Sequence, residues 1–210
     1  RQRLGPDGIR FSGTAGEAME HEGMTSLFPL GDIAVMGILP VIARFPTLLR
    51  RGYAVVDAVI ADPPDVLVII DSPDFTHAVA RRVRRRLPHL PIIDYVSPKV
   101  WAWRTGRARA MRAYVDHVLA LLPFEPAAHA VLGGPTCTYV GHPLIERLAE
   151  LRPGTPEEMA ARTGEPPLLL VLPGSRRSEM RRLLGPFGAT VAQVLASRPG
   201  PLDVAVPAVS

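Results

Sequence analysis

The sequence predicts an α/β fold in which parallel strands alternate with helices that cover both faces of the sheet. Two observations favour this class. Short β-branched runs such as "DVLVIID" (65–71) are continuously apolar yet too short for a helix, as in parallel strands buried on both faces. Each such run is followed by a helix-like segment, and this alternation is typical of parallel sheets. The 210 residues, 47% of them apolar, suffice for one large or two smaller domains.

The elements follow in order along the chain. "IRFSG" (9–13) is predicted to be a strand, and residues 33–61 to be two helices broken at Phe45-Pro46. Four strands then form the main sheet, at 65–71, 91–97, 117–123 and 136–141. The helices between them are predicted at 75–87, in an Arg/Ala-rich segment ending near Tyr114, and at 125–132.

A polar segment broken by Pro and Gly, 144–167, is typical of an inter-domain connection. It divides an N-terminal domain, 1–143, from the start of a second domain, 168–210. The second domain is predicted to hold a strand at 168–174, a helix at 178–197 interrupted at Gly185-Pro186, and a strand at 202–209. Because the chain lacks an initiator methionine and stops after a strand-like run, we expect it to be a piece of a longer protein.

Composition limits the class of protein. The lone Cys137 excludes an intrachain disulfide, which suits a reducing compartment. No leader opens the chain and no apolar run reaches the roughly 18 residues of a membrane span, so a secreted or integral membrane protein is not expected. The net charge is only +4, but five arginines fall within residues 81–86. Such a cluster attracts phosphates of nucleic acid, lipid or nucleotide, although a solvated helix face is the favoured interpretation.

The loops that follow the strands carry the candidate functional residues. Ligands of open parallel sheets bind beyond the carboxyl ends of the strands. Here the strands lead into "DSPDF", "SPKVWAWR", "PFEP", "GHP" and "PGSRRSE", whereas the helix-to-strand connections are plain. This one-sided pattern predicts a binding site at the carboxyl edge.

Individual residues in these loops allow a functional and a structural role. Asp74, beside Asp71, is either a cap for a helix beginning at Phe75 or a general base. Glu125 either hydrogen-bonds a sugar or caps the next helix, and His142 either donates to a phosphate or ties the domain corner together.

In "LPGSRRSE" (172–179), Gly174 permits close approach of a ligand to a helix start, and Arg176 and Arg177 can grip phosphate oxygens. The alternative is a capped helix with two solvated arginines. The scattered histidines and single cysteine predict no metal site. No dinucleotide, P-loop or hydrolase motif occurs.

Taken together, "AVMGILPVI", "IIDSPDF", "DYVSPKVWAWR", "LLPFEP", "YVGHP" and "LPGSRRSE" resemble, in order and spacing, the lipid-A-disaccharide synthase family. The resemblance runs from about Ile9 to the end of the chain. It implies two Rossmann-like domains of the GT-B type, both incomplete here, since the family's Gly-Glu-x-Ser-Gly-Asp loop lies upstream and most of its nucleotide pocket downstream. The isolated chain is therefore expected to be inactive.

The resemblance also implies an activity. Family members transfer 2,3-diacylglucosamine from UDP-2,3-diacylglucosamine to 2,3-diacylglucosamine 1-phosphate with inversion, release UDP, and need no metal or other cofactor. They work at the cytoplasmic face of the inner membrane, so an anionic membrane surface is an expected partner and nucleic acid is not.

Specific residues take roles by position in the family motifs. Asp74 is the candidate base for the acceptor hydroxyl, and Arg176 the candidate stabiliser of the departing UDP. The expected substrate-binding residues are those of the same loops: Ser97, Trp101, Trp103, Arg104, Glu125, His142, Gly174 and Ser175. Trp101 and Trp103 either pack against acyl chains or only buttress the fold. Two other functions stay open: another GT-B nucleotide-sugar enzyme, such as an epimerase, and a non-catalytic nucleotide- or membrane-binding module that uses the basic helix at 81–86.

Overall fold

The structure is a computed structural model that describes residues 8–34, 38–148, 155–157, 159, 166–174 and 177–207. The chain divides into two compact units, Arg1–His142 and Pro143–Ser210. The division falls next to the predicted domain end at residue 143. Most of the predicted connection, 144–167, lies outside the described residues, so the connection stays a prediction.

The first unit is built on a four-stranded parallel sheet with strand order β1-β2-β3-β4. Its strands are β1 (Leu67–Ile70), β2 (Ile92–Tyr95), β3 (His117–Ala120) and β4 (Thr136–Tyr139). Its helices are α1 (Glu17–His21), α2 (Ile38–Ala61), α3 (Pro73–Arg86), α4 (Gly106–Met111) and α5 (Glu125–Val131), with a 3₁₀ turn at Leu30–Asp32. The predicted parallel α/β class and the four strands of this sheet are confirmed.

Buried and less buried side chains alternate along β2 and β3, and the buried ones form the core. Ile92 and Val118 on neighbouring strands are fully buried, and α3 covers them with Val79, Ala80 and Val83. Helix α2 packs on α3 in turn, inserting Val56. The prediction that 65–71 is buried on both faces is wrong, because β1 ends the described strand order and leaves one of its faces exposed.

Two predictions in the first hundred residues are also wrong. Residues 9–13 form no strand: only Gly13 makes an isolated bridge, with Ser26, so the segment has no continuous partner to pair with. Helix α2 is continuous through Pro46 rather than broken there. Proline removes one backbone donor, at about 3 kcal/mol in a helix interior. The apolar face that α2 packs against α3 supplies the opposing stabilisation.

The second unit contains a two-stranded parallel sheet of β5 (Leu168–Leu170) and β6 (Asp203–Ala205), joined by α6 (Arg177–Ser197). A 3₁₀ turn, Pro143–Arg147, opens the unit. The predicted interruption at Gly185-Pro186 is wrong, since α6 runs through Pro186. The Pro186 carbonyl accepts a 2.9 Å hydrogen bond from the Thr190 hydroxyl, which adds a side-chain hydrogen bond to the helical turn that follows the proline.

The arginine cluster at the end of α3 is partly engaged within the first unit. The Arg81 guanidinium lies 5.3 Å from the ring centre of Tyr114, and that of Arg82 5.0 Å from the ring centre of Tyr53. Arg84 pairs with Asp116. These contacts favour the structural interpretation of the cluster. Among the described helices, none combines the length and apolarity needed to cross a bilayer.

Candidate active site at the carboxyl edge of the sheet

Four of the five polar loops leave the same edge of the first unit's sheet. Because β1 to β4 are mutually parallel and adjacent, the segments after Ile70, Tyr95, Ala120 and Tyr139 emerge side by side. The predicted convergence is therefore confirmed for these four loops. The fifth loop, "PGSRRSE", belongs to the second unit.

Backbone strain is concentrated at this edge. Four non-glycine residues among those described have positive φ: Asp71 (47°), Ser72 (45°), Val96 (75°) and Arg104 (52°). All four lie in the loops after β1 and β2. The value at Val96 is the most unfavourable, because a β-branched side chain clashes in this conformation. Strain of this kind costs of order 1–3 kcal/mol per residue and is typical of functional sites.

Asp74 does not cap a helix starting at Phe75. Helix α3 begins at Pro73, its N-cap is Ser72, and no side-chain capping bond is made. The Asp74 carboxylate instead accepts hydrogen bonds from Arg107, at 2.6 Å, and from Arg104, at 3.4 Å. These contacts tie the β1–α3 turn to the loop that follows β2.

The loop after β2 (residues 96–105, the Trp loop) also contacts the loop after β3. The Trp101 ring packs edge-on against the Phe124 ring, with centroids 5.1 Å apart and planes at 86°. The Arg104 guanidinium stacks 4.4 Å from the ring centre of Trp103. Trp101 and Trp103 remain 42% and 58% exposed, so both have surface available to a ligand.

Ser97 is anchored from below by His129 of α5. Its Oγ lies 2.8 Å from His129 Nε2 and 3.1 Å from the Pro98 carbonyl oxygen, and both side chains are buried. Burial lowers the pKa of His129, against the opposing effect of the Asp94 and Glu125 carboxylates. The imidazole is therefore neutral at pH 7.

Glu125 is almost fully buried at the start of α5. Its Oε2 accepts the Leu122 N–H at 2.9 Å, while its own N–H donates to the Leu122 carbonyl at 3.2 Å. Of the two roles that the sequence allows, the structure shows the contact at the helix start. A hydrogen bond from Glu125 to substrate stays a prediction.

The remaining predicted site residues follow β4 or belong to the second unit. His142 is half-buried just beyond β4. Gly174, in the second unit, has φ +98°, and a Cβ there would lie 2.5 Å from Glu179 Oε2, so only glycine fits. Ser175 and Arg176 lie outside the described residues.

A buried polar chain beneath the edge was not predicted. His77 Nδ1 lies 3.1 Å from the Tyr114 hydroxyl, within hydrogen-bond geometry, and Asp94 Oδ2 lies 3.3 Å from His77 Nε2. Among the described residues neither Asp94 oxygen makes a hydrogen bond. The signal in the sequence is an aspartate inside the apolar strand "PIIDYV". A charge at such a position is rare without a partner.

The parallel sheet and the helices that flank it define a Rossmann-like α/β protein, consistent with a fragment of the GT-B type. A protein-family model described as lipid-A-disaccharide synthetase matches residues 2–210, and the chain belongs to that family.

Curated relatives carry the name lipid-A-disaccharide synthase. The protein of Nitrobacter winogradskyi is 58% identical over 99% of this chain and 52% of its own length. The protein of Rhodopseudomonas palustris strain HaA2 is 57% identical over 100% of this chain and 52% of its own length. The protein of Rhodospirillum centenum is 47% identical over 96% of this chain and 50% of its own length. The chain thus spans about half the length of the curated relatives it matches.

Proposed function

We propose that this chain is part of a lipid-A-disaccharide synthase. The whole protein would transfer 2,3-diacylglucosamine from UDP-2,3-diacylglucosamine to 2,3-diacylglucosamine 1-phosphate and release UDP. The observation that carries the proposal is that three successive strand-end loops contact one another, through Asp74 with Arg104 of the Trp loop and through Trp101 with Phe124, in a chain 58% identical to a curated synthase.

An inverting transfer needs three things from the protein. A base takes the proton of the acceptor hydroxyl as its oxygen attacks the anomeric carbon. Cationic groups stabilise the diphosphate as the bond from that carbon to UDP breaks, a role we assign to Arg176. The loops hold the two sugars in line. No covalent intermediate forms.

The base belongs to the turn between β1 and α3, which offers two exposed carboxylates. The motif points to Asp74, but its carboxylate already accepts hydrogen bonds from Arg104 and Arg107. Asp71 is exposed in the strained turn directly after the strand. Because both guanidinium groups contact the Asp74 carboxylate, we assign Asp74 as the anchor for the arginines and Asp71 as the base.

The Trp loop supplies surface for the remainder of a glycolipid. The exposed faces of Trp101 and Trp103 can pack on acyl chains, and Arg104 adds a positive charge for a phosphate. Ser97 and His129 support the Trp loop from within the first unit. Glu125 holds the neighbouring loop after β3 through the Leu122 N–H.

Product analysis tests the proposal. The full-length protein, incubated with UDP-2,3-diacylglucosamine and the acylated acceptor, is expected to yield a disaccharide 1-phosphate and UDP, as measured by mass spectrometry. Plain UDP-N-acetylglucosamine, the matched control, should not react. Conversion of the plain nucleotide sugar without an acceptor would instead identify an epimerase. The 210-residue chain alone is expected to give no product.

We also propose that the protein acts at the cytoplasmic face of the inner membrane. Helix α2 exposes an apolar stripe at helical spacing, made of Ile42 (64% exposed), Phe45 (53%), Leu49 (38%) and Tyr53 (52%). An amphipathic face of this kind binds at a bilayer interface. Arg50, which flanks this stripe on the same helix, can contact anionic headgroups.

Vesicle sedimentation tests membrane binding. Replacing Ile42, Phe45 and Leu49 by serine is expected to release the full-length protein from anionic vesicles by about 10-fold or more, since each buried apolar side chain contributes about 1.5–3 kcal/mol. Replacing Arg85 and Arg86 by glutamine is the control for a basic-helix mechanism. If only that control releases the protein, the α2 stripe is not the membrane contact.

A further inference from the structure

We infer that Ser97 and His129 form a positioning pair that fixes the Trp loop for the transfer reaction. The inference rests on the proposed function, and it deepens it by naming two residues that hold the loop in place. His129 lies on α5 and Ser97 at the start of the Trp loop, 32 residues earlier. Their 2.8 Å contact is buried, so water cannot replace it without opening the core.

The surroundings of His129 and Ser97 decide which group donates and which accepts in each of their hydrogen bonds. Among the described residues, His129 Nδ1 is buried without a hydrogen-bond partner. An unpaired acceptor there costs less than an unpaired donor, so the proton belongs on Nε2. His129 Nε2–H then donates to Ser97 Oγ, and Ser97 O–H donates to the Pro98 carbonyl, 3.1 Å away. In this arrangement the Nε2 proton and the hydroxyl proton each make one hydrogen bond, and the two bonds hold the peptide that starts the Trp loop.

Helix α5 contacts the Trp loop at a second point. Phe124, the N-cap of α5, packs on Trp101, while His129 holds Ser97 one turn further along the helix. Two contacts from one helix restrict both position and rotation of the loop. They also offset the strain at Val96, whose φ of 75° persists only where the surroundings hold it.

The packing around His129 leaves it no second position. A Cβ on Gly134 would lie 2.4 Å from His129 Nδ1 and 3.2 Å from its Cγ. The Gly134 N–H also donates to the His129 carbonyl at 2.8 Å. The backbone of the α5–β4 turn thus closes against one edge of the ring, and the opposite nitrogen faces Ser97.

Fluorine NMR of the full-length protein labelled with 5-fluorotryptophan tests the pair. The Trp101 resonance is assigned with Trp101→Phe. Phe124→Ala gives the chemical shift of Trp101 when its contact with Phe124 is absent. His129→Ala and Ser97→Ala are each expected to move or broaden the Trp101 resonance towards the Phe124→Ala position. His129→Gln, which offers an amide N–H at similar reach, should restore it.

A second histidine–hydroxyl pair provides the matched control. His117 Nε2 lies 2.9 Å from Thr138 Oγ1, and His117 opens β3 at the end of the strand away from the Trp loop. His117→Ala should leave the Trp101 resonance unchanged. If Ser97→Ala, which removes only one oxygen, also leaves the resonance unchanged in a folded protein, the pair does not position the loop.

Kinetics then separate this inference from the proposed function. In the active protein, kcat/KM is expected to fall on the order of 10-fold or more in His129→Ala and in Ser97→Ala, and no further in the double variant. Unchanged kinetics despite a shifted Trp101 resonance would overturn the role in the reaction. If no synthase activity is found at all, the proposed function fails, while the NMR result still decides whether the pair holds the loop.

Discussion

Asp71→Asn is expected to lower kcat of the full-length protein by about 100- to 10,000-fold, the range that a general base contributes. Asparagine keeps the size of the side chain and its tolerance for positive φ, so the turn at φ 47° should survive. The loss therefore reports the missing carboxylate rather than a broken turn. The measurement is steady-state turnover of the two acylated sugars.

Asp74→Asn is the informative comparison. It weakens the anchor of Arg104 and Arg107, but the Asp74 side chain is 78% exposed. Exposed ion pairs contribute about 1 kcal/mol or less, so the expected loss is under about 10-fold. Asp65→Asn, an exposed carboxylate at the other end of β1, should have no effect. The reverse ranking, with Asp74→Asn inactive and Asp71→Asn active, would return the base to Asp74, the residue that the sequence motif indicates.

Sequence periodicity was sufficient for the first unit's sheet because its signals are local. Strands β1 to β3 each lie inside an apolar run and β4 inside a short segment rich in β-formers, all bounded by turn residues. The intervening helices account for their parallel direction. Local signals misled at Pro46 and Pro186, where a proline suggested a break. The decision there depends on how the whole helix is held, at Pro46 by its packing on α3, and no short window of sequence contains that information.

The candidate site could be located from the sequence, but its pairings could not. The loops were recognisable because polar residues followed one end of each strand. Which side chains meet depends on tertiary distance: Asp74 and Arg107 are 33 residues apart, and Ser97 and His129 are 32. His129 itself sits in an apolar helical segment, "PAAHAV", where nothing distinguishes a positioning residue from an ordinary buried histidine.

The second large expected effect is a loss of stability when Asp94 is replaced, because Asp94 lies in the buried polar cluster with His77 and Tyr114. Asp94→Leu is expected to lower the free energy of unfolding by about 1–3 kcal/mol, because it leaves the buried His77 Nε2 without its carboxylate neighbour. Asp94 and His77 are only 1% and 2% exposed, so water cannot substitute for the lost group. Tyr114 would keep its contact with His77 Nδ1 but not the far end of the chain.

A double replacement distinguishes a pair from two independent core residues. Replacing both partners of a buried polar contact by apolar side chains can be nearly neutral, whereas removing one of them is costly. His77→Leu combined with Asp94→Leu should therefore cost less than the sum of the two single changes, with a coupling of about 1–3 kcal/mol. Urea unfolding at pH 7 measures all three variants.

An ion pair on the protein surface provides the control for this comparison of single and double variants. Asp62 lies 2.8 Å from Arg10 with both side chains more than half exposed, so Asp62→Leu should leave the free energy of unfolding nearly unchanged. Strict additivity of the His77 and Asp94 changes would mean that their 3.3 Å approach carries no interaction energy. Coupling would instead show that β2, which leads directly into the strained start of the Trp loop, is held to α3 by a polar contact within the core.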